Sequence, residues 1–185
     1  MRRISSQHGF SLLEVVLVVA ILAVVSAITF PLLQGALQKA QANGAAEALT
    51  AAIRDARMRA IATGWQYRVR AFDATGTVPN AFRIEGMNPV AVPPGVWPAA
   101  GTAGTRPFYG TNQTFEAYTT LGKDFRSAVL QIPAGGPTFI VVFDSRGQWA
   151  TPCAPVGCQA QVRTPGGGLT TLTVSAAGAV QMVRQ

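Results

Sequence analysis

From Phe10 to Phe30 the chain carries a single charged side chain, Glu14. As a helix this run is about 31 Å long, the thickness of a bilayer's hydrocarbon core. Arg2 and Arg3 lie on its amino side. The positive-inside bias leaves that end cytoplasmic and sends the remainder outward. A carboxylate within a membrane helix costs about 2.5–3.5 kcal/mol on insertion scales, so Glu14 calls for a counter-charge. An amino group newly exposed at Phe10 would supply one, from the same chain or a neighbour. That requires a cut after Gly9, ahead of the apolar run. A secretory signal is instead cut beyond a shorter apolar region, at a small-x-small site. Val25-Ser26-Ala27 matches such a site faintly, but the run is long and has an acid at its head.

Gly9-Phe10-Ser11-Leu12-Leu13-Glu14, the short basic leader before it and Pro31 downstream resemble the class III signal peptide of type IV pilins and type II secretion pseudopilins. The resemblance implies cleavage between Gly9 and Phe10 by a prepilin peptidase and methylation of the Phe10 amine. It also implies that Glu14 pairs with the amine of an adjacent subunit as a filament assembles. Other pilins or pseudopilins, the peptidase and the inner membrane would be the partners, with DNA or a secreted cargo as further candidates.

Removal of residues 1–9 as a leader leaves one anchored domain, with about 155 residues beyond the membrane run, enough for a real core. Of 15 Lys and Arg against 8 Asp and Glu, Arg2 and Arg3 leave with the leader and Glu14 stays in the membrane. The exported part is therefore basic. Its charge serves either as a solvated surface or as attraction to an anionic partner such as DNA, lipopolysaccharide or acidic polysaccharide. Cys153 and Cys158 enclose Ala-Pro-Val-Gly, and no second metal-ligand pair exists in the sequence. In an oxidising compartment they are expected to close as a disulfide, worth about 2 kcal/mol for so short a loop. A redox-active pair is the rival reading.

Pro31 is expected to kink or loosen the helix as it leaves the bilayer. Residues 31–64 read as a second, amphipathic helical stretch. In it Leu49, Ala52, Ile53, Ala56 and Ala60 recur at three- and four-residue steps, and Gly64 ends the helix. Gly35 and Asn43-Gly44 weaken it midway. Arg54, Arg57 and Arg59 form a solvated face or a candidate contact for DNA or another anion. The remaining residues, 65–185, read as a periplasmic β-domain. Its expected strands are 65–71, with one polar face, 81–85, 115–121, 127–132, 138–143, 159–164, 169–174 and 179–183. Residues 86–112 form a long Pro-, Gly- and Ala-rich loop, in which Trp97, Phe108 and Tyr109 are expected to anchor onto the domain.

The Ala- and Arg-rich helix running into the 65–71 strand, the Val-Val-Phe-Asp-x-x-Gly hairpin and a terminal strand pair turning at Gly178 resemble the GspH/FimT group of minor pseudopilins and pilins. The resemblance implies an α+β, pilin-like fold: a long N-terminal helix packed on an antiparallel β-sandwich. It further implies a low-abundance subunit, at or near a filament tip, of a type II secretion pseudopilus or a type IV pilus. Some pilins of the group bind DNA through Gly-Arg-x-Arg near the carboxyl terminus. Here those positions read Gly178-Ala179-Val180-Gln181, and only Arg184 follows.

His8, the one histidine, lies in the leader, which removes His-assisted catalysis and most zinc sites from a processed chain. No phosphate-binding loop is present. The expectation is a structural subunit with no catalytic residue, metal or cofactor, anchored in the inner membrane by one span. Two alternatives stay open: a DNA-binding minor pilin for uptake, and a plain membrane-anchored periplasmic domain.

Overall fold

The computed structural model describes residues 11–90, 97–102, 113–133, 136–150, 158–175 and 177–185. One helix, α1 (Leu12–Thr63), runs for 52 residues, about 78 Å. Pro31 lies inside it without ending it, so the two expected helical stretches are one element. Gly64 closes it in the left-handed conformation at φ 71°, its N–H donating to the Ala60 carbonyl at 3.0 Å. A residue without Cβ adopts that conformation without steric cost.

The two halves of α1 meet different surroundings. Large apolar side chains from Leu12 to Leu37 are exposed, whereas Ala42, Ala45, Ala46, Leu49, Ile53, Ala56 and Ala60 are buried. These small residues let the sheets approach the helix closely, and Leu49 and Ile53 fill the space between.

Two antiparallel sheets pack on that second half. The first orders β3 (Gln113–Phe115), β2 (Ala81–Met87), β1 (Gln66–Phe72) and β6 (Thr138–Phe143), with β4 (Thr119–Thr120) also pairing β2. The second orders β5 (Val129–Gln131), β7 (Cys158–Arg163), β8 (Leu169–Val174) and β9 (Val180–Arg184). Alternate residues of β1, β2 and β6 (Tyr67, Val69, Ala71, Phe82, Ile84, Phe139, Val141 and Phe143) join the helix in the core. Leu130, Ala160, Val162, Leu172 and Val174 do the same from the second sheet.

Two strand expectations differ from the fold. The 115–121 stretch is not one strand: β3 ends at Phe115, β4 is two residues long, and the short helix α2 (Leu121–Asp124) follows. The polar face of β1 is not solvated either. Arg68 and Arg70 are buried, because residues 97–102 return across the outside of the first sheet. The Arg68 side chain donates to the Pro98 carbonyl at 3.2 Å and lies 4.3 Å above the Trp97 ring. Trp97 is thus an anchor of the long loop; Phe108 and Tyr109 lie outside the described residues.

The turn between β7 and β8 is pressed onto α1. A Cβ on Gly168 would stand 3.3 Å from the Lys39 Cα, and one on Gly166 would overlap the Gln38 side chain. Glycine at both positions eases this approach, which places the end of the second sheet against residues 38–43 of the helix. The Thr170 hydroxyl and the Asn43 side chain, 2.9 Å apart, hydrogen-bond alongside.

Candidate functional site

The amino-terminal half of α1 is the first candidate. Its backbone begins with Ser11 in an extended conformation, and Glu14 lies in the first turn, its N–H donating to the Ser11 carbonyl at 3.0 Å. A carboxylate there faces the positive end of the helix dipole. Leu12 to Leu33, 22 residues, extend for about 33 Å. Glu14 is the only ionisable side chain among them, and their side chains are exposed throughout. An apolar surface of this extent marks contact with a membrane or with other chains. Gly9 and Phe10, the expected cleavage and methylation positions, lie outside the described residues.

The three helix arginines have different surroundings. Arg57 donates through Nε to the Gly147 carbonyl at 2.9 Å. Arg59 bridges Asp55 at 2.7 Å and Glu116 at 2.6 Å, tying α1 to the segment after β3. Arg54 alone of the three has no such partner among the described residues. Arg54 and Arg57 flank an open groove whose floor is Met58, Ile61 and residues 178–180. Of the Gly178-to-Gln181 segment, Gly178, Ala179 and Val180 line the groove that Arg54 and Arg57 flank, and Arg57 is already engaged with the Gly147 carbonyl.

Sequence reasoning missed a buried ionic cluster on the outer face of the first sheet. Strand register sets Arg68 opposite Glu85 and Arg70 opposite Arg83. Glu85 is fully buried and accepts from Arg68 at 2.5 Å and Arg83 at 2.8 Å, with Arg70 at 3.6 Å. Arg83, also fully buried, donates to the carbonyls of Thr102 and Ala99 and lies between the Phe115 and Tyr118 rings, 4.7 and 4.3 Å from their centroids. Burial raises the Glu85 carboxyl above its ordinary range, while Arg70 and Arg83 pull it down. Arg70 is the least satisfied member: its Nε is buried without a hydrogen-bond partner. The alternating arginines of β1 were visible in the sequence, but the pairing that brings Glu85 among them was not.

Cys158 is buried at the start of β7 and is not a free thiol; Cys153 lies outside the described residues. Among the described residues no group of three or more His, Cys, Asp or Glu is placed to hold a metal.

The family described as the prokaryotic N-terminal methylation motif matches residues 4–30. No curated protein matches the chain. Among solved structures, the type IV minor pilin FimU of Pseudomonas aeruginosa is similar at 18% identity, covering 77% of this chain and 87% of its own, with a TM-score of 0.46. A second crystal form of FimU gives 17%, 76%, 91% and 0.44. The minor pseudopilin EpsH of the Vibrio cholerae type 2 secretion system is similar at 15% identity, covering 78% of this chain and 97% of its own, with a TM-score of 0.48. These likenesses are loose, and the motif match is confined to residues 4–30.

Proposed function

We propose that this chain is a minor pilin or pseudopilin, a structural subunit that enters a type IV pilus or a type II secretion pseudopilus through α1. The observation that carries the reading is the methylation motif at residues 4–30, continuous with an exposed apolar helix half whose one acid is Glu14. The prepilin peptidase would cut between Gly9 and Phe10, and the new Phe10 amine would be methylated. The helix would first anchor the chain in the inner membrane, with the β-domain on the periplasmic side. On assembly, Glu14 would accept the terminal amine of a neighbouring subunit. In an apolar setting such a pair interacts more strongly than in water. Pro31 lies near the carboxyl end of the membrane segment, and a Cys153–Cys158 bridge would brace the segment leading into β7.

Two measurements test this. Mass spectrometry of the mature protein is expected to find a methylated Phe10 at its amino terminus; a chain that still begins at Met1, or that begins beyond Ala27, would defeat the proposal. The Glu14→Ala variant is expected to insert and fold normally yet to be depleted at least tenfold from purified filaments. Wild-type incorporation would rule out the pairing role.

A further inference from the structure

We infer that the end of the β-domain nearest the apolar half of α1 is a basic collar that rests on anionic lipid headgroups. The inference depends on the reading of the apolar half of α1 as a membrane span, and adds to it an electrostatic contact made by the folded domain. The outer edge of the span is taken at Leu33 rather than Phe30, because Pro31, Leu32 and Leu33 are uncharged and exposed.

The fold assigns each end of the second sheet to a level on α1. Val129 pairs with Arg163, Arg163 with Leu169 and Thr170 with Arg184, so these residues share one end of the ladder. That end is fastened to the helix by the Gly166–Gly168 turn at Gln38 and Lys39, and by Thr170 at Asn43. The segment after α2 meets the same level: the Phe125 ring packs at Gly44, and the Ser127 N–H donates to the Gln41 side chain at 3.2 Å. The opposite end, around residues 178–180, lies beside Arg54 to Ile61.

Four exposed bases gather at the near end: Lys39, Lys123, Arg126 and Arg163. None of them pairs with a carboxylate among the described residues. The opposing carboxylates at this end are Asp124 in α2 and Asp73, whose carbonyl accepts from the Asn80 N–H beside α2, while Glu47 is held by Arg184. Lys39 stands six residues beyond Leu33, about 9 Å along the axis. The polar layer of a bilayer is about 5–8 Å deep on each side. Lys39 is therefore at the outer edge of the headgroups. The level of Gln41 to Gly44, where the α2 segment is held, is about 12–16 Å out, within a screening length of that edge at physiological salt. A negative surface attracts bases at such heights. Only about 21 Å out does the Arg184–Glu47 pair, at 2.7 Å, neutralise its own charge.

The test uses the full-length chain in nanodiscs of phosphatidylcholine, alone or with about one-third phosphatidylglycerol. Backbone hydrogen exchange in residues 121–128 and 164–170 is expected to slow with the anionic lipid, by about fivefold for each base that meets the surface, and to recover in high salt. The double variant Lys39→Gln/Arg163→Gln should lose most of the effect. The charge-matched control Arg54→Gln/Arg146→Gln, at the far end, should keep it. Flotation with phosphatidylcholine vesicles at about 1 M salt, where surface charge is screened, tests the span by itself. With flotation intact, equal exchange in the two lipids would overturn the collar and leave the span standing. So would a slowing that the near-end variant retains.

Discussion

Glu85 accepts from two guanidinium groups and stands near a third in a space without bulk water. Its removal leaves three buried cations without a carboxylate, the kind of loss that costs about 3–5 kcal/mol. Glu85→Gln is therefore expected to lower the urea midpoint strongly at an unchanged slope, and a change under 1 kcal/mol would show that the carbonyls and rings around the arginines suffice. Tyr67 offers the opposite case. Its ring is buried in the core, and its hydroxyl lies beside Thr63 without a hydrogen bond of good geometry. Burial also raises its pKa, because the folded chain disfavours the phenolate. The neutral form suits both states below the ordinary tyrosine pKa of about 10. As pH rises through that value the unfolded chain ionises first and stability falls. Tyr67→Phe is expected to gain up to about 1 kcal/mol by deleting a poorly paired polar atom. It should also flatten the alkaline limb of a stability–pH curve.

At the level of elements, periodicity made much of the fold legible. The Leu49-Ile53-Ala56-Ala60 stripe is the buried face of α1, and the apolar Thr138–Phe143 run is β6. Strands β8 and β9 pair across the expected turn. What the sequence concealed depends on long-range register. Arg68 and Arg70 alternate with apolar residues as a solvent face would, and only the return of residues 97–102 buries them. The stretch after Phe115 reads as one strand because Tyr118 and Leu121 are apolar, yet Leu121 opens a helical turn whose amide donates to the Asn80 carbonyl at 2.8 Å. The exposed apolar helix half and Glu14 needed no register to be noticed. The β7–β8 turn shows how a single element sets this geometry. Gly168→Val would force its backbone away from Lys39, with an expected loss of about 1–3 kcal/mol. Faster hydrogen exchange around residues 164–170 would report it, and unchanged exchange would mean the turn yields freely.

For the whole molecule, anchoring and folding are separable. The first buried residue of α1 is Ala42, and nothing from Leu12 to Leu33 enters the core. A chain lacking residues 1–33 is therefore expected to unfold within about 3 °C of the full-length protein in detergent, about the shift that 1 kcal/mol produces in a domain of this size. A much lower midpoint would show that the membrane segment supports the domain. Mechanically the two parts remain joined. Because α1 is uninterrupted from Leu12 to Thr63, a twist applied at its foot reaches the sheets as a rigid shaft would carry it. Successive side chains project about 100° apart around such a shaft. On the proposed filament reading, a neighbour that slipped by one residue along the lower half would thus turn the β-domain a quarter-turn or more, so its azimuth would be chosen within the apolar half of the helix.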